Sequence, residues 1–341
     1  MPQILSIQYL RAFAAIAVLL YHAVERADLP GGFAVGAAGV DVFFVISGFI
    51  MWTVTERRPC GPGAFLKNRV IRIVPLYWIV TLGVAAAAAM VPALFPNMRP
   101  EPGHVAMSLL FVPHAAPDGN PWPLIVPGWT LNYEMFFYAV FALGLLLQTR
   151  LRLLFMSAAL GGLVLLGLLW RPEGVPGRTY TDPLLLEFLA GIWLACAFSA
   201  GKLPGRGVGW TLVVLGVAGY AALQAAGFYD DRWRALIWGV PAFCIVCGAV
   251  SIERAGRAPE IPLLRLLGDA SYSVYLLHTL AIAAVAKLVG APWLLILGGT
   301  AFGILAGIVS YQLLEKPSLA LLKGLGSRRS GPTVGERSRV W

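Results

Sequence analysis

Charged residues are scarce in this chain of 341 residues: 13% are Asp, Glu, Lys or Arg, whereas soluble domains average about 25%. Hydrophobic residues make up 58% of the chain, and the mean hydropathy is +0.75. So few polar side chains cannot cover a water-facing surface of this size. The composition therefore excludes a disordered chain, a fibrous repeat and an ordinary soluble enzyme, and it indicates an integral membrane protein.

Cysteine is also scarce, because the chain has only 4. No disulfide framework is legible from their positions. Cys244 and Cys247 have the CxxC spacing but lie in an apolar run without a partner pair, which favours buried packing. His104 and His114 lie outside the predicted spans and lack ligand spacing, so the sequence predicts no metal site.

Long apolar runs fill most of the chain. A helix that crosses a bilayer needs about 20 mostly apolar residues, and such runs predict an all-α, polytopic membrane protein with about ten transmembrane helices. Residues 104–114 are too few to cross and are predicted to be re-entrant or interfacial. The predicted spans are 4–24, 34–54, 73–95, 127–148, 151–170, 183–200, 208–226, 233–252, 267–289 and 293–314.

No repeat and no soluble domain stands out along the chain. Residues 1–315 are therefore predicted to form a single transmembrane domain. Residues 316–341 are basic and contain Gly and Ser, which predicts a loose cytoplasmic tail.

Basic residues are divided unevenly between the two alternating sets of predicted loops. One set, with the tail, has 18 of the 26, and Arg11 lies inside a span. Cytoplasmic loops carry the excess of Lys and Arg, so both termini are predicted to be cytoplasmic. This division accounts for the net charge of +9 without nucleic acid as a partner. The other 7 basic residues, predicted to lie outside, are Arg26, Arg99, Arg171, Arg178, Arg232, Arg234 and Lys287.

The first span contains two polar residues, Arg11 and His22. Eleven helical steps bring them to within about 20° of the same face and about 16 Å apart along the axis. Charges inside a bilayer are costly and are functional candidates by default. A snorkelling Arg and an interfacial His are the alternative.

Two acidic residues lie in later spans. Asp41 is flanked by small residues, including Gly39 and Gly48, which let helices approach closely in lipid. Asp41 and Glu134 are predicted to lie at about the depth of His22, where either carboxylate would orient the imidazole. A buried salt bridge to an arginine is the alternative for Asp41.

Arg69 and Arg72 lie three residues apart, so they share a helix face at one mouth of the membrane. Arginine pairs of this kind suit phosphate groups, although positive loops and anionic lipid give the same pattern.

Two further groups of polar and aromatic residues lie in or beside spans. Ser271, Tyr275 and His278 form a polar stripe at i, i+4 and i+7, for which interhelical hydrogen bonding is the alternative. Trp129 and Tyr133 are candidate acceptor-binding residues, and membership of an interfacial aromatic belt is their alternative.

Five motifs in order resemble the membrane-bound acyltransferase 3 family, from SIQYLRAFAAIAVLLYHA to LLEKP. They are Arg11-x10-His22, GVDVFFVISGF, Arg69-x-x-Arg72, GWTLNYEMFFY and SYSVYLLH. GAAGVDVFFVISGFIMW and PGWTLNYEMFFY look like its branch of bacterial exopolysaccharide O-acetyltransferases. Members often have SLSVE or SLAVE after the Trp, whereas this chain has TLNYE and keeps Glu134.

The resemblance implies an acyltransferase for groups other than amino-acyl groups, in the bacterial inner membrane. It would move acetyl from cytoplasmic acetyl-CoA to a hydroxyl of an exopolysaccharide or its lipid-linked precursor. Its partners would be acyl-CoA, a carbohydrate, membrane lipid and polysaccharide-biosynthesis proteins. The family's functional Arg and His match Arg11 and His22, and its cytoplasmic arginine pair matches Arg69 and Arg72.

With this resemblance, the polar residues take hypothetical roles. His22 acts as general base or accepts the acetyl group itself, and the sequence leaves both routes open. Asp41 or Glu134 would orient His22, and Arg11 would either hold the helix packing or stabilise developing oxyanion charge. The donor contacts Arg69, Arg72 and the stripe Ser271, Tyr275 and His278. A polysaccharide or lipid-linked sugar transporter without catalysis is the rival function, but it should show two related halves, and none is evident.

Overall fold

The computed structural model describes residues 4–95, 98–228, 233–256 and 258–327, and every regular element within them is helical. Helices dominate because backbone polar groups in lipid must be satisfied within the segment. The α-helices, in chain order, are α1 Leu5–Arg26, α2 Gly39–Arg57, α3 Pro62–Met90, α4 Pro102–Leu109, α5 Gly128–Gly144, α6 Thr149–Trp170, α7 Val175–Tyr180, α8 Leu185–Ser199, α9 Arg206–Ala226, α10 Arg234–Ile237, α11 Gly239–Ala255, α12 Pro262–Asp269, α13 Ser271–Ala286, α14 Pro292–Ser310 and α15 Lys316–Ser327. The predicted all-α polytopic fold is confirmed.

Eight segments of the described chain are long and apolar enough to cross a membrane, or nine if the bent pair α12 and α13 is one span. About ten were expected. The predicted span 127–148 forms α5, whose 17 residues measure about 25 Å and fall short of a hydrocarbon core of about 30 Å. Residues 104–114 include only the short helix α4, in agreement with a segment that does not cross.

The predicted span 267–289 is not one straight helix. Helices α12 and α13 meet at an angle of 71°. Gly268, at the end of α12, lies so close to α1 that a Cβ there would be 2.3 Å from the carbonyl oxygen of Gln8. Close packing of α12 on α1 thus accompanies a change of direction just before Ser271, the first residue of the polar stripe.

Two boundaries differ from the prediction. Helix α3 begins at Pro62 rather than at 73, because proline is favoured in the first helical turn, and Arg69 and Arg72 therefore lie within it. Residues 316–327 form α15, which packs against α3 and is not loose. A π-helical turn, Tyr311–Glu315, joins α14 to α15. The rest of the predicted tail, 328–341, lies outside the described residues.

Glycines bring the central helices together as the sequence predicts. A Cβ at Gly48 of α2 would lie 2.0 Å from the carbonyl oxygen of Phe188, and one at Gly191 of α8 would lie 2.0 Å from that of Val45. A Cβ at Gly39 would lie 2.4 Å from the carbonyl oxygen of Ala14 in α1. Backbone therefore packs directly on backbone along α2, which requires residues without a side chain.

Helix α1 lies at the centre of the bundle, where α2, α11, α12, α13 and α14 pack against it. The carboxylate of Glu253 accepts the backbone N–H groups of Leu5 and Ser6 at 2.9 and 2.8 Å, which satisfies donors at the start of α1. This anchoring fixes the helix that carries Arg11 and His22.

Candidate active site

A cavity of about 290 Å³ opens between α1, α2, α5 and α13, and we call it the inner cavity. It follows α2 from Arg58 to Val40, which spans about 25 Å or more of helix. We call the end of the bundle at Arg58 the basic end. Five of the sequence-predicted site residues line this cavity: Arg11, Arg72, Glu134, Ser271 and Tyr275.

Arg11 and Arg72 face the inner cavity, where the buried Glu315 acts on both guanidinium groups from beyond salt-bridge distance. Neither guanidinium forms an ion pair within 4.0 Å or a hydrogen bond with any described residue. Two unpaired arginines in one largely apolar cavity repel each other and form an attractive site for an anion.

Glu134 belongs to the inner cavity and not to the surroundings of His22, which corrects its predicted depth. Its carboxylate accepts hydrogen bonds from Tyr138 and, at 3.3 Å, from Ser47. Helix α5 begins at Gly128, which is packed on the buried Tyr77. Six residues of helix then carry Glu134 about 9 Å further into the bundle.

A hydrogen bond lies at the far end of the inner cavity. The hydroxyl groups of Thr130 and Tyr275 lie 3.0 Å apart, and both residues line the cavity wall. His278 lies one turn beyond Tyr275 on α13, with the two rings 5.6 Å apart, and its Nδ1 lies 2.5 Å from the carbonyl oxygen of Tyr275. Ser271, Tyr275 and His278 thus form the predicted stripe.

His22 and His278 form a pair between α1 and α13. Their ring centroids are 4.9 Å apart, with the planes inclined at 30°. His22 Nδ1 lies 3.1 Å from a carboxylate oxygen of Glu25. The partner of His22 is therefore Glu25, one turn away on the same helix, and not Asp41 or Glu134 as predicted. An N–H donated from Nδ1 to this carboxylate leaves Nε2 with a free lone pair.

Asp41 forms the arginine salt bridge that was its alternative interpretation. The fully buried carboxylate lies 2.8 Å from Nη2 of Arg234. Arg234 Nη2 also donates to the carbonyl oxygen of Ala37 at 3.3 Å, and its guanidinium stacks on Trp238. This ion pair holds the start of α2 against α10 and α11, so Asp41 is not available to orient His22.

The remaining predicted site residues, Arg69, Trp129 and Tyr133, do not line the inner cavity. Arg69 is not part of the inner cavity wall, and its guanidinium lies 6.0 Å from the ring of Phe65. Tyr133 is buried and donates its hydroxyl to Asp182 at 3.2 Å. Trp129 meets Trp122 edge to face at 6.1 Å. Neither Trp129 nor Tyr133 lines the inner cavity.

A second cavity, of about 400 Å³, lies at the opposite end of the bundle, and we call it the outer cavity. Its wall includes Arg26, four residues after His22 on α1, and Ala283, five residues after His278 on α13. These spacings place it about 6 to 8 Å beyond the histidine pair along the two helices. The pair therefore lies between the outer cavity and the Thr130–Tyr275 end of the inner cavity.

Sequence reasoning missed Glu25 and the role of Arg234. The signal for Glu25 was present, because residues at i and i+3 on a helix are neighbours. The partnership of Arg234 with Asp41 joins residues 193 positions apart and leaves no local signal. Among the described residues, no group of three or more His, Cys, Asp or Glu is placed to hold a metal ion, although His104 Nδ1 and His114 Nε2 lie 2.7 Å apart.

Comparisons with known proteins identify the family to which the chain belongs. The chain is 43% identical over 310 residues to the exopolysaccharide production protein ExoZ of Rhizobium meliloti, covering 88% of this chain and 94% of ExoZ. It is 27% identical to the acyltransferase MdmB of Streptomyces mycarofaciens, covering 96% and 94%. It is 25% identical to the peptidoglycan O-acetyltransferase OatA of Listeria monocytogenes, covering 80% of this chain and 48% of OatA.

No solved structure matches the chain significantly. The family model described as an acyltransferase domain matches residues 4–313, nearly all of the described helices. With ExoZ as a relative along almost its whole length, the chain belongs to the acyltransferase 3 family and is a multi-pass membrane acyltransferase.

Proposed function

We propose that the protein transfers an acetyl group from cytoplasmic acetyl-CoA to a saccharide hydroxyl on the other side of the bacterial inner membrane, with His22 at the point of transfer. The observation that carries this proposal is the His22–His278 pair, which has a cavity on each side. The acceptor is an exopolysaccharide or its lipid-linked precursor, a choice supported by the likeness to ExoZ.

The inner cavity is the proposed donor site. Arg11 and Arg72 form no ion pair within 4.0 Å with any residue that the structure describes, and they would bind the phosphate groups of CoA through charge-assisted hydrogen bonds. Arg11 lies about 16 Å from His22 along α1, too far to contact a carbonyl group reacting there. Its proposed role therefore moves from catalysis to donor binding.

The mainly apolar wall of the inner cavity suits the CoA arm between Arg72 and Tyr275. Ser271 and Tyr275 offer hydroxyl groups along that path, and His278 lies beyond them, next to His22. The thioester would reach His22 once the Thr130–Tyr275 contact opens. Because Arg57 and Arg58 also lie at this mouth, the excess of positive charge supports a cytoplasmic basic end.

His22 is the proposed general base. Glu25 accepts a hydrogen bond from the Nδ1–H group of His22, so Nε2 can remove the proton of the acceptor hydroxyl as its oxygen attacks the thioester carbonyl. The carbon–sulfur bond then breaks, and the CoA sulfur leaves with the proton that His22 had taken. Acetyl becomes an ester on the sugar, and His22 returns to its neutral form.

Transfer across the membrane provides the test. The protein is reconstituted in sealed liposomes with acetyl-labelled acetyl-CoA inside, and the base-deacetylated exopolysaccharide of the producing bacterium is added outside. We expect labelled ester on the outside polymer and free CoA inside, with neither product from His22→Ala. If the polymer is labelled only when acetyl-CoA and polymer are in the same compartment, transfer through the bundle is contradicted.

A further inference from the structure

We infer that the outer cavity binds the phosphate groups of a lipid-linked sugar diphosphate, so a lipid-linked precursor is the preferred acceptor and finished polymer is a poorer one. This inference rests on the proposed function, because it names the acceptor class of that same site. Its first support is the placement of the cavity just beyond His22 on α1 and His278 on α13, with Arg26 and Ala283 in its wall.

The outer cavity concentrates positive charge where the sequence has little of it. Of the 7 basic residues predicted for the outside, Arg26, Arg99 and Lys287 line this one cavity. The carboxylate in its wall, Asp118, is held by the backbone and side-chain N–H groups of Asn120 at 3.1 and 2.9 Å. Three cations thus face one carboxylate that is already hydrogen bonded.

These cations are not paired with a carboxylate in the part of the chain that the structure describes. None of Arg26, Arg99 and Lys287 forms an ion pair within 4.0 Å there. The Lys287 ammonium donates to the carbonyl oxygen of Leu94 at 2.6 Å, which uses one of its three N–H groups. By contrast Arg234, from the same predicted set, is bound to Asp41. Unpaired cations that converge on one cavity favour an anion with several oxygens.

The rim of the outer cavity favours a ligand with a lipid tail. Leu94 and Val126 line the cavity and are 50% and 38% exposed, and Leu288, next to Lys287, is 84% exposed. These apolar side chains lie beside the cations, as an amphiphile with a charged head requires. A free polymer would gain nothing from this apolar rim.

The wall also offers an aromatic ring to a sugar. Trp122 lines the cavity, is 40% exposed and packs edge to face against Trp129. An exposed indole presents an apolar face together with an N–H donor. If the cations bind the phosphate groups and Trp122 contacts the sugar, the sugar lies within the outer cavity, which begins about one turn from His22.

Binding of two matched probes tests the inference. The full chain is placed in phosphatidylcholine nanodiscs, and the Kd is measured for farnesyl diphosphoglucose and for neutral farnesyl glucoside. We expect the diphosphate to bind at least tenfold more tightly and to lose affinity with added salt. Arg26→Gln, Arg99→Gln and Lys287→Gln should each weaken the diphosphate about tenfold and the neutral probe far less. Arg178→Gln, an exposed arginine outside the cavity, is the control and should change neither.

Three results would overturn the inference. They are equal affinity of the two probes, equal weakening of both probes by the cavity variants, and loss of the diphosphate advantage in phosphatidylglycerol nanodiscs. The last would show a general site for phospholipid head groups. These measurements need no catalysis, so their failure is separate from failure of the proposed function, which His22→Ala tests in the transfer assay.

Discussion

The imidazole rings of His22 and His278 lie 4.9 Å apart, at the place where two cavities from opposite ends of the bundle come nearest to each other. Close helix packing holds this pair, because α1 and α13 are in direct contact. A group that reaches His22 from the basic end must pass the Thr130–Tyr275 hydrogen bond, whereas the outer cavity begins about one turn above His22.

Glu25 is the first residue whose change tests this geometry. Glu25→Gln replaces a carboxylate by an amide, which orients the His22 ring less well and stabilises the imidazolium less. We expect kcat for acetyl transfer to fall by about 10- to 100-fold, with little change in the KM for acetyl-CoA. Steady-state kinetics with Glu173→Gln, an exposed acid in a loop, as control would check this. An unchanged kcat would show that Glu25 does not orient His22.

Substitution of Arg72 should raise the KM for acetyl-CoA more than substitution of Arg69, although the sequence analysis predicted that both arginines bind the donor. Arg72 lines the inner cavity and Arg69 does not. We therefore expect Arg72→Gln to raise the KM for acetyl-CoA about tenfold or more, and Arg69→Gln to raise it less. The exposed Lys67, on the same helix, gives the control Lys67→Gln. Equal KM values for Arg72→Gln and wild type would show that Arg72 does not bind the donor.

The contact between α2 and α8 predicts a stability effect. Gly48→Ala forces a methyl group to within 2.0 Å of the Phe188 carbonyl oxygen unless the helices separate. We expect the free energy of unfolding to fall by about 1–3 kcal/mol. Gly161→Ala is the control, because no atom outside the neighbouring turns of its own helix backbone lies within 4 Å of the position of a Cβ there, and alanine is the better helix former. Thermal unfolding in detergent measures both, and equal melting temperatures would contradict the close approach.

The His104–His114 pair predicts a local dependence on pH. Burial, and then the charge of His114, lower the pKa of His104 below its ordinary value of 6.5. Because the folded state favours the neutral ring, the stabilisation is complete above pH 6.5 and is lost as the pH falls through the lowered pKa. Hydrogen exchange of residues 102–112, corrected for its intrinsic pH dependence, should therefore accelerate at acidic pH. His104→Gln should remove this dependence, and an unchanged profile in that variant would contradict it.

The sequence predicted the helical membrane fold because lipid imposes a simple rule on apolar runs. Most predicted spans end within a few residues of a described helix end. The 71° bend before Ser271 was not predictable, because hydropathy continues through it while the change of direction accompanies close packing of Gly268 on Gln8. The depth of Glu134 was wrong for a related reason: α5 begins inside the bundle, against Tyr77.

The sequence predicted which residues share a helix face better than it predicted which side chains on different helices pair with each other. Helical spacing was sufficient to group Ser271, Tyr275 and His278, because these lie on one helix. The pairing of His22 with Asp41 or Glu134 was wrong, whereas the alternative for Asp41, a salt bridge to an arginine, is present. Asp41 pairs with Arg234 from a distant helix, which spacing cannot reveal. The local partner Glu25 was available to the helical rule and was missed in favour of more deeply placed carboxylates.

The most direct test of the central claim is the release of CoA from acetyl-CoA by the purified protein and by His22→Ala. Glu173→Gln, which changes an exposed loop residue outside both cavity walls, is the control. The account predicts that His22→Ala lowers the rate by about 10²- to 10⁴-fold while its melting temperature stays that of the wild type and Glu173→Gln stays active. A rate within twofold of wild type in a folded His22→Ala protein would contradict it.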